Sequence, residues 1–147
     1  METFTLRGES DFITITFEEV YGFPDTTCCW GGYDVRIKLE IKSGNFRVNS
    51  TLWTSTGELY DFLQRLKECN NKLAGAAIYN TYEGNLKLIA TYDDLGHVNI
   101  KGRFSEQTEL HNELQFEFSS DQTFIRLTIE ELELVAIKYG DMKGIEK

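Results

Sequence analysis

Ten consecutive residues, Tyr33 to Lys42, alternate without a break between apolar and polar. Tyr33, Val35, Ile37, Leu39 and Ile41 take one side, and Asp34, Arg36, Lys38, Glu40 and Lys42 the other. Successive side chains of a strand point to opposite faces, so a period of two over this length dictates a strand with one dry and one wet face. That habit belongs to an antiparallel sheet covered on one side, and the rest of the chain must supply both the neighbouring strands and the cover.

The neighbours are legible from the same period. Ile13, Ile15 and Phe17 share a face in Phe12–Phe17, and the turn Arg7-Gly8-Glu9-Ser10 lets Phe4–Leu6 pair back on it. Ser43-Gly44-Asn45 turns the chain into Phe46–Leu52, with Phe46, Val48 and Leu52 expected inside. Ala76–Tyr79 starts a second group of strands. Glu83-Gly84-Asn85 leads into Leu86, Leu88 and Ala90, and a tight hairpin at Tyr92–Gly96 returns through Val98, Ile100 and Phe104. Leu114, Phe116 and Phe118 mark one more strand.

The period changes to 3.6 in two places. Thr54-Ser55-Thr56 offers a cap, Glu58 suits the first turn, and Leu59, Phe62, Leu63, Leu66 and Leu73 follow helical spacing over about 56–72. Asp121 can cap a second helix that Gly140 ends. Its stripe is Ile125, Ile129, Leu132 and Ala136, widened by Leu127, Leu134 and Ile137. Trp53, just before the first cap, is expected to pack on Leu59, Phe62 or the adjoining strand. The predicted fold is α+β: a mostly antiparallel sheet with two amphipathic helices packed on one face. At 147 residues it should be one domain, 1–147, and no internal repeat is visible.

Aromatics at 13% and a single proline, Pro24, exclude a disordered chain. No apolar run nears the ~20 residues that span a bilayer, and Met1-Glu2-Thr3-Phe4 does not read as a secretory signal. Cys28, Cys29 and Cys69 make a poor disulfide framework, being odd in number with two adjacent, so a reducing cytoplasm is expected. The net charge is −9. Residues 1–25 hold six acids against Arg7, residues 104–121 five acids and no Lys or Arg, and the remainder is almost balanced. Such a field repels nucleic acid and anionic membrane and draws in a basic partner.

No catalytic constellation emerges. His97 and His111 are the only histidines, and neither they nor Cys28-Cys29 offer the close-spaced ligand pairs of a zinc site. A cysteine nucleophile with His97 and Asp93 or Asp94 as partners lacks any local motif. The glycines form no phosphate loop. Arg36, Lys38, Arg47, Lys87, Lys101 and Arg103 fall on the wet side with Asp34, Glu40 and Glu117 among them, which reads as cross-strand pairing. An RNA platform would expose aromatics there, and these point inward. No cofactor and no metal is expected, and the protein reads as a non-enzyme.

In order, Trp53 with Glu58-Leu59 and Phe62, Leu73-x-Gly75-x-Ala77, Asp94-x-Gly96-His97-Val98-x-Ile100, Leu114-x-Phe116-x-Phe118 and Asp121-Gln122-Thr123-Phe124-Ile125 resemble the WapI-like immunity proteins. These are cytoplasmic antitoxins paired with the toxic C-terminal domains of WapA-type polymorphic toxins of bacteria. The likeness runs over roughly 33–139. It implies a protein that binds and neutralises one cognate toxin domain, often a nuclease, and performs no chemistry of its own. The acidity read from the residues agrees, since it suits a basic partner.

The expected partner-binding residues are the acids Glu106, Glu109 and Glu113 of the loop before the last strand, with Asp93 and Asp94 of the hairpin turn; the loop is preferred because no local base neutralises it. Two other readings stay open at this point. One is a small-molecule module with an aromatic-lined pocket near Trp30, Trp53 and Tyr79, and the other is a cysteine enzyme.

Overall fold

The computed structural model describes residues 1–106 and 109–145. Ten elements follow one another: β1 (Thr3–Arg7), β2 (Phe12–Tyr21), β3 (Asp34–Ser43), β4 (Phe46–Ser55), α1 (Thr56–Lys72), β5 (Ala76–Asn80), β6 (Leu86–Tyr92), β7 (His97–Ser105), β8 (Glu113–Asp121) and α2 (Gln122–Tyr139). The class is α+β and every pairing is antiparallel, as the alternation required.

The strands form two four-stranded sheets, β1-β2-β3-β4 and β5-β6-β7-β8, where the sequence reading placed them in one. Local alternation fixes which face of a strand is dry, but not where a row of strands stops. Helix α1 leaves the end of β4, and the strand that follows it starts a second sheet rather than extending the first. The same order therefore occurs twice: a four-strand meander whose last strand runs directly into a helix. Ser55 ends β4 and caps α1, and Asp121 ends β8 and caps α2. The repeat is one of elements, not of residues, which is why the sequence hides it.

The two halves are interleaved. Helix α1 lies on α2 and on β5 of the other sheet, while α2 lies on β1 of the first. The inward faces of both sheets and the inner stripes of both helices merge into one core, with Ile15, Val35, Ile37, Leu39, Phe62, Leu66, Ala77, Leu86, Ile100 and Ile125 fully buried. Polar ties cross between the halves. Thr128 Oγ1 donates to the Thr5 carbonyl (2.6 Å), Arg7 pairs with Glu131 (2.7 Å), and the Ser120 hydroxyl donates to the Arg7 carbonyl.

Three details depart from expectation. Phe46 is 65% exposed, because the outer end of the β3–β4 hairpin runs past the core. Leu127, Leu134 and Ile137 face solvent, so the buried stripe of α2 is narrower than its sequence. Trp53 is half-buried, but on the outer side. Leu52 and Thr54 point inward, so Trp53 between them must point outward, where it reaches across to Tyr21 (5.3 Å between ring centroids). The residue before the cap is Thr54, and its hydroxyl bonds to Glu58 instead of packing a hydrocarbon on the first turn.

Candidate functional site

The acids singled out from the sequence divide between the two ends of β7. Asp93 and Asp94 belong to the β6–β7 turn, Glu106 and Glu109 to the β7–β8 connection, and Glu113 opens β8. Nine residues at about 3.3 Å each separate the two ends by roughly 27 Å, so the five do not make one patch.

Their environments differ as well. Asp93 is tied into its turn: against some desolvation, bonds from the backbone N–H groups of His97 and Leu95 and from the His97 ring (3.0 Å) hold its carboxyl below the usual range. Glu113 is not without a base, because Arg103 lies across the strand pair at 3.2 Å. That bond first, then those from Gln115 and Ser105, holds the Glu113 carboxyl low. Glu106, Glu109 and Asp94 are exposed. Gln107 and Thr108 of the connection lie outside the described residues.

Sequence reasoning missed what stands beside this connection. Ser105 N–H donates to the Asn85 carbonyl (2.9 Å), which joins the start of the connection to the β5–β6 turn. A concavity of about 300 Å³ between them is lined by Glu83, Asn85, Phe104, Ser105 and Glu106, with Trp53 on its far wall. In the same turn Tyr82 stacks on Trp30 from the 22–33 loop, with ring centroids 5.2 Å apart and planes within 2° of parallel. The two residues are 52 positions apart, and neither carries a local signal of the other.

The 22–33 loop is firmly mounted. Gly57 N–H donates to the Gly31 carbonyl (3.1 Å), Gly32 N–H to the Met142 carbonyl (2.7 Å), and the Ser55 hydroxyl to the Trp30 carbonyl (3.3 Å). Gly31 and Gly32 have φ of 95° and 62°, which only glycine adopts without strain. A side chain on Gly57 would run into the Gly31 backbone. The loop thus lies against the start of α1 at backbone-to-backbone distance.

Glu58 sits beneath this contact. It completes a capping box with Ser55: Ser55 N–H and the Thr54 hydroxyl donate to Glu58 Oε1, while Glu58 N–H donates to Ser55 Oγ. Burial pushes its carboxyl up to about 7 despite these bonds and one from the Tyr82 backbone, so Glu58 is partly protonated at neutral pH. The chain of hydroxyls continues inward, since the fully buried Tyr79 donates to Thr54 Oγ1 (2.6 Å).

The other readings do not assemble. The Cys28 thiol faces the Gly31 carbonyl and burial raises its pKa, the opposite of an activated nucleophile, while His97 is engaged by Asp93. Trp30, Trp53 and Tyr79 line no common pocket: Trp30 is on Tyr82, Trp53 on Tyr21, and Tyr79 is inside the core against Phe62. Among the described residues no group of three His, Cys, Asp or Glu could hold a metal, and no helix is long and apolar enough to cross a membrane. Of the six basic strand residues, Arg36, Lys38 and Arg47 lie on the first sheet and Lys87, Lys101 and Arg103 on the second. Arg36, Lys38 and Arg103 are ion-paired with Glu19, Glu40 and Glu113.

A family model described as the immunity protein WapI-like family matches residues 4–140. No curated protein and no solved structure matches the chain.

Proposed function

Because the chain belongs to the immunity protein WapI-like family, and is therefore a toxin-neutralising protein and not an enzyme, we propose that it neutralises one cognate toxin domain by binding it through the acidic β7–β8 connection. The partner on this reading is a basic domain, and the family resemblance implies that it is a nuclease. An acidic protein competes well for the cationic surface that such an enzyme offers to nucleic acid, and opposite charge speeds the encounter. The observation that carries the reading is Glu106 and Glu109, exposed on a connection that belongs to a sequence stretch with no Lys or Arg from 104 to 121. The three cysteines, all free thiols, suit the reducing cytoplasm in which such a protein meets its toxin.

The geometry refines the set of residues. Glu113 is already neutralised by Arg103, so it contributes less to an outward field than Glu106 and Glu109. Asp93 and Asp94 lie at the far end of β7, and we assign them no share in this contact.

The test is an association measurement with the cognate toxin domain. Exchanging Glu106 and Glu109 for Gln is expected to slow association by about three- to tenfold at low salt, and to flatten its dependence on ionic strength, with the melting temperature unchanged. Glu113→Gln alone should have a smaller effect. Association as fast as the wild type at every salt concentration would remove this connection from the interface.

A further inference from the structure

We propose that Trp30, held flat on Tyr82, whose own neighbours include Asp34 and Glu83, anchors the toxin-docking surface by receiving an arginine or lysine side chain of the toxin domain on its open face. The inference rests on the immunity reading and names the anchor within it.

Trp30 is 50% exposed and belongs to no core cluster, yet its loop is tied to the fold by backbone hydrogen bonds. Backbone bonds to α1 and to the C-terminal turn, two left-handed glycines and the bare Gly57 all serve to hold the segment that carries it. A rigid tryptophan left half in water meets a partner without the entropic cost of ordering a loop. Tryptophan and tyrosine are also the residues on which interface energy most often concentrates.

The chemistry of the occupant follows from these neighbours. The Tyr82 hydroxyl donates to Asp34 (2.7 Å). Burial first, then this bond and the charges of Asp34, Glu83 and Glu58, holds the Tyr82 phenol in its neutral form. Asp34 accepts the Tyr82 hydroxyl, and Glu83 follows Tyr82 in the same turn, so two acids border the stacked pair. An electron-rich aromatic stack with Asp34 and Glu83 at its Tyr82 end attracts a cation, and a planar guanidinium best of all. A neutral apolar knob would gain nothing from those acids, and an anion would be repelled.

The platform also joins the acidic connection. Tyr82, Glu83 and Asn85 are parts of one turn, Asn85 is bonded to Ser105, and Glu83 shares a concavity with Glu106. One basic surface could therefore meet Glu106 and Trp30 together.

The experiment measures binding of the cognate toxin domain to this protein. Trp30→Ala is expected to weaken it about 30- to 300-fold, mainly through faster dissociation, while Trp30→Phe keeps most of the affinity. Both variants should melt near the wild-type temperature. A second readout leaves Trp30 in place: protein labelled with 5-fluorotryptophan has two fluorine resonances, assigned with Trp53→Phe. Unlabelled toxin domain should move the Trp30 resonance and shield it from solvent. If the wild type binds and neutralises the toxin while Trp30→Ala binds within threefold of it, or the Trp30 resonance stays put, the anchor is overturned and the immunity reading stands. A Trp30 resonance that moves with protein concentration in the absence of toxin would identify a second copy as the occupant and overturn the anchor. A wild type that binds no toxin domain would overturn both readings.

Discussion

Phe62→Ala is expected to lower folding stability by about 3–5 kcal/mol, the usual loss for a fully buried phenylalanine and a large share of what a domain of this size has. Phe62 projects from α1 of the first half onto Tyr79 of the second (5.4 Å between centroids), and both are essentially without exposure. Removing the ring leaves a cavity where the two halves meet and withdraws the packing that holds the Tyr79–Thr54–Glu58 hydroxyl chain. The melting temperature should fall by roughly 10 °C in a single transition, because neither meander has a core of its own. Calorimetry of the wild type and variant checks this. Two separate transitions, or a loss below about 1 kcal/mol, would contradict a shared core.

Gly57→Ala is expected to destabilise by about 1–3 kcal/mol, the cost of forcing extra atoms into a closed contact. The sign makes this informative, since alanine in place of glycine inside an exposed helix gains about 1 kcal/mol. Here the added methyl would lie 2.5–2.9 Å from the carbonyl carbon, oxygen and Cα of Gly31. These are backbone atoms, so the whole loop must lift from α1, breaking the Gly57–Gly31 hydrogen bond and moving Trp30 off Tyr82. Urea unfolding measures the loss. A variant as stable as the wild type or better would show that the loop is not seated as described.

Elements governed by local rules were legible in the sequence. The strict alternation of Tyr33–Lys42 gave β3 to within a residue, and the Thr54-Ser55-Thr56 cap with Glu58 in the first turn and Leu59, Phe62, Leu63 and Leu66 at helical spacing gave α1 at 56–72. Asp121 caps α2 as its position before an apolar stripe required. Features that depend on distant residues were not legible. The division into two sheets depends on α1 crossing between meanders. The exposure of Leu127, Leu134 and Ile137 depends on how much of α2 the β1 edge and α1 can cover. The Glu113–Arg103 pair follows from the register of β7 on β8, which sets Ser105 opposite Glu113 and Arg103 opposite Gln115. Of the candidate site, the acidic connection was readable as a charge run. Its aromatic neighbour was not, because Trp30 and Tyr82 meet only through the docking of a glycine-rich loop on a helix start.

The duplicated meander-and-helix plan also explains why an acidic surface and an aromatic one come together. The β5–β6 turn opens the second half, the 22–33 loop belongs to the first, and the interleaving of the halves sets Tyr82 against Trp30 and Asn85 against Ser105.

The most direct measurement of the central claim is growth of cells that express the cognate toxin domain, with and without this protein, followed by purification of the pair. The account predicts that the toxin domain alone arrests growth, that the protein restores it, and that the two co-purify as a stable stoichiometric complex in which the toxin is inactive. Growth arrest unrelieved by this protein, with the toxin domain purifying alone and fully active, would contradict it.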